Sequence, residues 1–371
     1  MRVLSVVGAR PQFIKAAPVS RVLRRSHEEV LVHTGQHYDH AMSGTFFHEL
    51  EMSDPAVNLE VGSASHAVMT ATILRRLEPV LLEHRPDGIL LYGDTNSTLA
   101  AAVAGIKIVY PDGGRPWLAH VEGGVRAFNR QWPEEHNRVV ADHLSDLVLA
   151  PTDEAMRNLR REGLAERSAK VGDVMVDSFV WAMDRTAAAA LPLAREHPGY
   201  VLATLHRGDN VDEPVRLSAW LDAMRTDRRV ILPAHPRTAA TLARAGLVPP
   251  ANVSFIDPVG YLTMVALEMS ASLIITDSGG VQREAYLAGV PCFTVRDETE
   301  WVETLAGGWN RLVGATPAGL AAALRGHDFA KPTAPRAEVF GDGHAAERIV
   351  AELEQLHARS SVAPAGPALA L

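Results

Sequence analysis

The sequence predicts an α/β protein with two nucleotide-fold domains, each a parallel sheet flanked by helices. Short apolar runs alternate with amphipathic stretches along the chain, which is typical of parallel strands joined by right-handed helical crossovers. A chain of 371 residues also exceeds what one hydrophobic core usually supports. Residues 3–15 and 273–284 share one design, in which an apolar strand enters a glycine-bearing turn and then a helix.

The apolar runs fall into two series of predicted strands. The first series is Val3–Val7, Glu29–His33, Gly88–Tyr92, Leu118–Val121 and Leu147–Ala150. The second series is Tyr200–Leu205, Arg229–Pro233, Val253–Ile256, Leu273–Thr276 and Pro291–Thr294. The segments between them carry helical spacing, as in His66–Arg85 and Glu134–Leu144. The two series separate near Asp173–Pro198, where an amphipathic helix leads into a stretch with proline and glycine.

Each glycine-bearing turn predicts an anion site. Gly8 ends the first strand, and Gly279 and Gly280 follow the strand Leu273–Thr276. Glycine lets the backbone turn tightly, and the helix behind it directs free N–H groups and a positive dipole end at whatever lies there. Such a position suits phosphate, so two of these turns suggest two domains that share one phosphorylated ligand. Strand-to-helix turns also use glycine without a ligand, and glycine alone leaves both interpretations open.

Composition and charge narrow the class of protein. A content of 47% hydrophobic and 22% charged residues is ordinary for a soluble globular protein. The formal net charge is −8 and the basic residues are not clustered, which argues against nucleic acid or an anionic membrane as partner. We expect a cytoplasmic protein, because no run approaches ~18 apolar residues and no signal-peptide pattern opens the chain. Cys292 is the only cysteine, so neither an intrachain disulfide nor a cysteine-based metal cluster is expected, and it should be a small core residue.

Reactive side chains directly follow several predicted strands. They are Arg10, Asp94, Glu122, His206, His235 and Ser278. Ligands bind at this edge of open parallel sheets, and so many reactive groups at one rim are harder to explain by packing than any one of them.

Each of these groups also has a purely structural interpretation. Asp94 would cap the helix that follows it. Glu134 and Arg138 would form an exposed i,i+4 ion pair, and Lys15 would be a solvated surface lysine. The two histidines would be hydrogen-bonded structural residues.

Several segments carry a pattern that is specific when they are taken together. They are residues 8–15 (Gly-Ala-Arg-Pro-Gln-Phe-Ile-Lys), 92–95 (Tyr-Gly-Asp-Thr), 120–124 (His-Val-Glu-Gly-Gly), 133–138 (Pro-Glu-Glu-His-Asn-Arg), 276–282 (Thr-Asp-Ser-Gly-Gly-Val-Gln) and 296–300 (Arg-Asp-Glu-Thr-Glu). In this order and spacing they resemble the non-hydrolysing UDP-N-acetylglucosamine 2-epimerases. The resemblance runs from Arg2 to about Leu353.

The resemblance implies the GT-B fold. This fold has two Rossmann-like domains with parallel sheets, the active site in the cleft between them, and a C-terminal helix that returns to the first domain. On this basis residues 1–175 and the helix 343–357 form the N-terminal domain, and residues 176–342 form the UDP-binding domain. Residues 358–371 are a small-residue, proline-rich tail that should be disordered. A homodimer is also implied.

The resemblance further implies an isomerase that inverts C2 of UDP-GlcNAc to give UDP-ManNAc, with neither NAD nor a metal. The C2 proton is removed while UDP leaves C1 by anti elimination. The 2-acetamidoglucal intermediate then takes a proton on the opposite face, and UDP adds again. Because the C2 hydrogen is barely acidic, this chemistry needs a base on one face and an acid on the other. The leaving diphosphate needs preorganised positive charge.

Matching the motifs residue by residue implies the members of the site. The acid–base carboxylates would be Asp94, Glu122 and Glu134, with His206 near the diphosphate. The other cationic groups would be Arg10, Lys15 and Arg138. Phosphate would bind to Ser278, Gly279 and Gly280, the uridine ribose to Glu284, and His235 would line the nucleotide pocket. Which carboxylate serves which face of C2 does not follow from the sequence.

The chain departs from the family pattern at positions that bear on the substrate. It has Ala-Arg-Pro-Gln at 9–12 and Thr-Glu-Trp-Val-Glu at 299–303, where several members have Thr-Arg-Pro-Glu and Thr-Glu-Arg-Pro-Glu. With Thr-Leu-His-Arg at 204–207, these forms are more similar to the branch that acts on UDP-2,3-diacetamido-uronic acid sugars and to some other bacterial or archaeal epimerases. Residues 36–39 (Gln-His-Tyr-Asp) keep only part of the Gln-His-x-Gln segment that binds a second UDP-GlcNAc in allosterically activated members.

Three other functions stay open. A hydrolysing relative would release UDP and free N-acetylmannosamine, which requires water to reach the glycal intermediate. A UDP-sugar glycosyltransferase shares the fold but does not need carboxylates on both faces of C2. A non-enzymatic nucleotide-sugar sensor would not need the three carboxylates and His206. We therefore expect an epimerase of a UDP-N-acetylated hexose, with UDP-GlcNAc as first choice.

Overall fold

The structure is a computed structural model that describes residues 1–36, 46–186 and 192–362. It divides into two compact units. Unit 1 comprises Met1–Ser178 and the segment that begins at Val339, and unit 2 comprises Phe179–Glu338. These changes of unit lie a few residues from the boundaries expected at 175 and 343.

The sheet of unit 1 has seven strands. They are β1 (Arg2–Val7), β2 (Glu28–His33), β3 (Val57–Asn58), β4 (Gly88–Tyr92), β5 (Trp117–Val121), β6 (Leu147–Ala150) and β7 (Ser168–Lys170). All neighbours are parallel, in the order β3-β2-β1-β4-β5-β6-β7. The chain therefore builds the sheet in one direction from β1 and in the other from β4. The carboxyl ends of these two strands form the switch point at which open α/β sheets bind ligands.

The sheet of unit 2 repeats this plan with six strands. They are β8 (Val201–Thr204), β9 (Val230–Pro233), β10 (Val253–Ile256), β11 (Leu273–Thr276), β12 (Cys292–Thr294) and β13 (Asn310–Leu312). The order is β10-β9-β8-β11-β12-β13, again with parallel neighbours. The switch point of unit 2 lies between β8 and β11.

Helices connect these strands. Numbered along the chain, they are α1 (Arg10–Leu23), α2 (His66–His84), α3 (Asn96–Lys107), α4 (Pro133–Leu144), α5 (Asp153–Arg161), α6 (Val174–Met183), α7 (Pro192–Glu196), α8 (Gly208–Val211), α9 (Pro214–Ala223), α10 (Pro236–Ala245), α11 (Tyr261–Ser270), α12 (Gly279–Ala288), α13 (Pro317–Leu324) and α14 (Ala345–Val362). Short 3₁₀ helices cover Ala165–Arg167 and Val302–Gly308. The predicted alternation of strands and helices is confirmed. The strands β3, β7 and β13 were not predicted.

Gln12 fixes the turn at which α1 begins. The preceding residue, Ala9, has no side-chain acceptor to cap the helix. Gln12 Oε1 instead accepts the N–H groups of Gly8 and Ala9 at 2.8 and 3.1 Å. Its Nε2 donates to the carbonyl of Tyr92 at 2.8 Å. Gln12 thereby ties the turn after β1 to the end of β4.

The segment after Val339 completes unit 1. Asp177 of α6 accepts the N–H groups of Ala345 and Ala346 at 3.2 and 2.8 Å, which caps α14. Burial raises the pKa of Asp177 to about 6. Helix α14 includes residues up to Val362, so residues 358–362, which were expected to begin a disordered tail, are helical. Residues 363–371 lie outside the described part of the chain.

Both units bury apolar side chains against their sheets. In unit 2, Val201 and Ala203 of β8 belong to the core on one face, whereas Tyr200 and Leu202 belong to the core on the other. This two-residue alternation is that of a sheet covered by helices on both sides. Cys292 lies in the second core, as predicted, and burial raises the pKa of its thiol to about 12.

The core of unit 1 includes Leu4 and Val6 of β1, Ile89 and Leu91 of β4, and Ile73 of α2. These positions anchor the strands whose carboxyl ends form the switch point. Among the described helices, none is both long and apolar enough to cross a membrane.

Candidate active site

The carboxyl ends of β1, β4 and β5 bring the predicted groups of unit 1 together. Tyr92 and Val121 are paired residues of β4 and β5, so Asp94 and Glu122 follow neighbouring positions at one edge of the sheet. Gly93 has a φ of 61°, a left-handed conformation that favours glycine. A Cβ atom at this position would lie 2.9 Å from Lys15 Nζ, so glycine also makes room for the lysine.

Lys15 and Glu122 form a buried ion pair. Lys15 Nζ lies 2.6 Å from Glu122 Oε1, and each side chain is only 6% exposed. The interpretation of Lys15 as a solvated surface lysine is therefore wrong. Glu122 has a φ of 72°. A positive φ is uncommon for residues other than glycine, and residues held in such conformations cluster at functional sites.

Asp94 forms an ion pair with Arg138. The Arg138 guanidinium contacts the Asp94 carboxylate, and Asn137 Nδ2 donates to the Asp94 carbonyl at 2.9 Å. The cap of α3 is Thr95, whose side chain accepts the N–H of Thr98, so the interpretation of Asp94 as that cap is wrong. A carboxylate held by a cation at the edge of the sheet remains available for chemistry.

The i,i+4 spacing suggested an ion pair between Arg138 and Glu134, but the structure does not form it. The second carboxylate partner of Arg138 is Glu135, at 3.4 Å. Glu135 is buried and accepts the N–H groups of Ala127 and Phe128 at 3.0 and 2.8 Å. Within the described residues, the partly exposed Glu134 has no ion pair. The sequence motif contained both glutamates, but only contacts with the preceding loop distinguish them.

Arg10 lies at the start of α1, where the sequence placed it. Its guanidinium carbon lies 4.5 Å from the ring centre of Phe46, a distance at which a cation is attracted to an aromatic face. Arg10 is half-buried and adds a third cation to Lys15 and Arg138 in unit 1.

A second charged cluster, which the sequence analysis did not predict, contacts the turns that carry Asp94 and Glu122. His120 of β5 contacts Asp142 of α4, and Asp142 also contacts Arg126. Arg126 forms a two-point ion pair with Glu162 at 2.8 and 2.7 Å. His120 and Asp142 are fully buried. The signal available in the sequence was His120 itself, which the segment 120–124 contains.

In unit 2, His206 is held by Asp277 at the switch point. His206 Nδ1 lies 2.8 Å from Asp277 Oδ1, while 40% of the His206 side chain stays exposed. Asp277 also accepts from the Arg207 N–H and from Asn210 Nδ2, each at 3.0 Å. Burial alone would raise the pKa of Asp277, but the charge and hydrogen bonds of His206, Asn210 and Arg207 outweigh it and hold the pKa well below the usual range. A fixed carboxylate thus orients an imidazole that can meet an anion.

His235 lies near His206, with 5.9 Å between the ring centres. His235 Nδ1 accepts the N–H of Arg237 at 3.2 Å and caps α10. The structural interpretation of His235 is therefore correct as far as this cap goes, and its exposed ring lies beside His206.

Helix α12 begins at the other half of the unit 2 switch point. Ser278 is its N-cap and accepts the N–H of Val281. A Cβ atom at Gly279 would lie 2.5 Å from Glu300 Oε1, whereas one at Gly280 would meet only Ser278 Oγ at 3.7 Å. Glu284 is buried on the same helix. The N-terminus of a helix attracts phosphate and other anions.

The fold defines an α/β protein with two nucleotide-fold units. Unit 1 presents carboxylates paired with cations at the carboxyl edge of its sheet. Unit 2 presents a helix N-terminus and an imidazole oriented by a carboxylate. In the described part of the chain, no group of three or more His, Cys, Asp or Glu side chains is arranged to hold a metal ion.

The chain belongs to the UDP-N-acetylglucosamine 2-epimerase family, whose sequence profile matches residues 21–354. A Methanococcus maripaludis protein named UDP-N-acetylglucosamine 2-epimerase homolog is 43% identical over 96% of this chain and 100% of that protein. A Pseudomonas aeruginosa UDP-2,3-diacetamido-2,3-dideoxy-D-glucuronate 2-epimerase is 42% identical with the same coverage. The crystal structure of Methanocaldococcus jannaschii UDP-GlcNAc 2-epimerase with UDP-GlcNAc and UDP matches with a TM-score of 0.85 and 36% identity, over 96% of this chain and 100% of that one.

The family and the fold class predicted from the sequence are thus confirmed. The protein is an isomerase of the nucleotide-sugar 2-epimerase class. Of the segment at 36–39, only Gln36 lies within the described residues, where it accepts a hydrogen bond from Ser97 at 2.9 Å.

Proposed function

We propose that the protein interconverts UDP-GlcNAc and UDP-ManNAc without net hydrolysis. A carboxylate takes the C2 proton, the C2–H electron pair forms the C1=C2 double bond, and UDP leaves C1 with the electron pair of the C1–O bond. A second group then protonates C2 of the 2-acetamidoglucal intermediate on the opposite face. UDP adds back to C1, and the configuration at C2 is inverted.

The observation that supports this reaction best is the pair of carboxylates at the ends of β4 and β5. Asp94 and Glu122 follow paired strand positions, and each contacts its own cation. Two carboxylates fixed at neighbouring positions suit a reaction in which one proton leaves C2 and another arrives. Glu134, which is partly exposed and has no ion pair within the described residues, completes the proposed set.

We assign the UDP group to unit 2. The N-terminus of α12, with Ser278, Gly279 and Gly280, would bind phosphate. His206, oriented by Asp277, would stabilise the charge of the departing diphosphate. The cations Arg10, Lys15 and Arg138 would add positive charge on the side of the sugar.

Two further assignments concern the nucleoside. His235 would line the nucleotide pocket, and Glu284 would bind the uridine ribose. Both residues belong to unit 2, His235 at the start of α10 and Glu284 within α12.

The proposed reaction requires neither NAD nor a metal. Hydrogen leaves C2 as a proton and returns as a proton, so no hydride acceptor is needed. The charge that develops is on UDP, where N–H groups and cationic side chains would stabilise it.

The test is NMR of the purified chain with UDP-GlcNAc in D₂O, without added NAD or metal. We expect deuterium at C2 and growth of a UDP-ManNAc signal. Release of UDP with free N-acetylmannosamine would instead establish a hydrolysing enzyme. An unchanged sugar would contradict the choice of UDP-GlcNAc, and the same assay would then be run with a UDP-2,3-diacetamido-uronic acid sugar.

Three variants test the assignment of the carboxylates. Asp94→Asn, Glu122→Gln and Glu134→Gln should each lower turnover by about 10²–10⁴-fold, while UDP binding measured by calorimetry is largely kept. Asp153→Asn is the matched control, because that carboxylate is 72% exposed on α5 and plays no part in the proposal. Near-native activity of all three variants would exclude the assignment.

A homodimer remains a prediction of the family resemblance, and a cytoplasmic location remains a prediction from the sequence. Light scattering coupled to size-exclusion chromatography would decide the first of these.

A further inference from the structure

His120 lies between two oxygen atoms that both accept hydrogen bonds. Its Nδ1 is 2.7 Å from Asp142 Oδ1, and its Nε2 is 2.7 Å from the carbonyl oxygen of Gly93. A carboxylate and a carbonyl have no proton to donate, and a neutral imidazole has a single N–H. Only the imidazolium, with a proton on each nitrogen, can donate to both oxygens.

The surroundings compensate this buried charge. Asp142 Oδ2 accepts from the Gly124 N–H at 2.9 Å and from Arg126 at 2.7 Å. Burial raises the pKa of Asp142, but its contacts with His120 and Arg126 more than offset this and lower it. With Glu162 bound to Arg126, the cluster contains two cations and two anions. Buried charges persist where they are paired and hydrogen-bonded in this way.

The cluster connects the two turns that carry the proposed carboxylates. His120 donates to the carbonyl of Gly93, the residue before Asp94. Asp142 accepts from the N–H of the second glycine after Glu122. Hydrogen bonds with a charged partner are about twice as strong as neutral ones. The buried pair of His120 and Asp142 therefore restrains both turns.

Asp94 is restrained on its other side as well. Asn137 donates to the Asp94 carbonyl, and Arg138 contacts the Asp94 carboxylate. Both peptide groups that flank Asp94 thus have a side-chain donor, and of these two donors His120 is the charged one. The Gly93 N–H is bonded to the Val121 carbonyl at 3.1 Å, so loss of His120 would remove the charged donor of the Gly93 carbonyl and leave the turn held from one side only.

We propose that His120 is a positioning residue, which as a buried imidazolium fixes the turn that carries Asp94 against the turn that carries Glu122. This inference rests on the proposed function. A misplacement of about 1 Å at a reacting group can cost about 10²-fold in rate. Loss of the imidazolium should therefore lower kcat about 10²-fold, while the Kd for UDP, which the proposal assigns to unit 2, stays unchanged.

Two variants grade the effect. His120→Phe keeps a ring of similar size but removes both hydrogen bonds. His120→Gln keeps an amide N–H₂ that can donate to Gly93 and should recover part of the activity. His27→Gln is the matched control, since His27 forms a 2.8 Å pair with Glu354 in the same unit but far from the carboxyl ends of the strands. It should leave kcat unchanged.

The readout that separates positioning from folding is the isotope effect on kcat with substrate deuterated at C2. Slower proton transfer in the His120 variants should raise this isotope effect. A merely structural role would lower the melting temperature and the active fraction, with isotope effect and UDP binding unchanged. A folded His120→Gln variant with kcat within a few-fold of the wild type would overturn the proposal.

Nitrogen-15 NMR of histidine-labelled wild-type protein tests the imidazolium without any substrate. We expect protons on both ring nitrogens of His120, and a nitrogen without a proton would overturn the proposal. This measurement stands if His120→Phe fails to fold. If the wild type epimerises no UDP-sugar, the proposed function fails, while the spectrum still decides the state of His120.

Discussion

Breaking the buried pair of Lys15 and Glu122 should cost unit 1 a large part of its stability. The two charged atoms lie 2.6 Å apart with both side chains almost fully buried. Lys15→Met keeps the apolar stem but leaves the Glu122 carboxylate buried without its cation. Removing one partner of a buried pair typically costs about 3–5 kcal/mol. In a domain of about 150–250 residues this corresponds to a fall in Tm of about 6–20 °C.

An exposed pair of the same chemistry in unit 1 supplies the control. Lys170 Nζ lies 2.8 Å from Asp153 Oδ1, but these side chains are 51% and 72% exposed. Exposed pairs contribute about 0–1 kcal/mol, so Lys170→Met should change the free energy of unfolding by less than about 1 kcal/mol. Because the two distances are nearly equal, the difference between the two substitutions measures the effect of burial.

Urea unfolding of the full chain, followed by circular dichroism, gives the free energies. The double variant Lys15→Met/Glu122→Gln completes a double-mutant cycle. Replacing both charges by neutral groups should recover most of the loss, because no unpaired charge is left buried. A Lys15→Met loss as small as that of Lys170→Met, or a double variant as unstable as the sum of its singles, would refute the reasoning.

Three further predictions use contacts described above. Gly279→Ala should destabilise unit 2 by about 1–3 kcal/mol, because its Cβ would lie 2.5 Å from an oxygen of Glu300, a side chain that is only 9% exposed and is held by Arg296 at 2.7 Å. Gly280→Ala should be tolerated, and equal melting temperatures of the two variants would contradict this reasoning. Asp277→Asn should raise the Kd for UDP about 10–100-fold, because the histidine that it holds loses its charged partner, and calorimetry showing unchanged binding would exclude that role. Asp177→Asn should remove a pH-dependent part of the stability: the folded pKa of about 6 lies above the ordinary value of 3.8, so between these pH values the folded state binds more protons. The wild type should therefore gain about 2–3 kcal/mol relative to the variant as the pH falls through this window, and parallel urea curves from pH 7 to 4 would disprove it.

The sequence predicted the strands that are buried on both faces and missed short strands at the sheet edges. The runs that form β1, β4, β8 and β11 are predominantly apolar, since helices cover both sides of the central strands. β3, β7 and β13 are edge strands of two or three residues. They include polar residues and pair on one side only, so no apolar run marks them.

The candidate site was predicted to the level of motifs but not of contacts. Asp94, Glu122 and Lys15 were all selected as members of the site. The cation that pairs with each carboxylate could not be assigned, because partners such as Lys15 and Glu122 are far apart in the sequence. Spacing favoured Glu134 as the partner of Arg138. The structure favours Glu135, because two N–H groups of the preceding loop hold its carboxylate in place. Such backbone donors leave no trace in the sequence.

The His120 cluster was missed for a related reason. A histidine, an arginine and two carboxylates spread over residues 120–162 have no helical or strand periodicity in common. Their charges balance only when the fold brings them together.

The division of unit 1 along the chain has a consequence for biosynthesis. Unit 1 starts at Met1 and receives α14 only from the segment that begins at Val339. The ribosome therefore synthesises the whole of unit 2 before the last helix of unit 1. Until then Asp177 lacks the N–H groups of α14 that donate to it in the native state. A premature stop codon near residue 338 would leave unit 2 complete and unit 1 without its last helix. Such a truncation removes none of the proposed carboxylates, yet it would destabilise the unit that carries them.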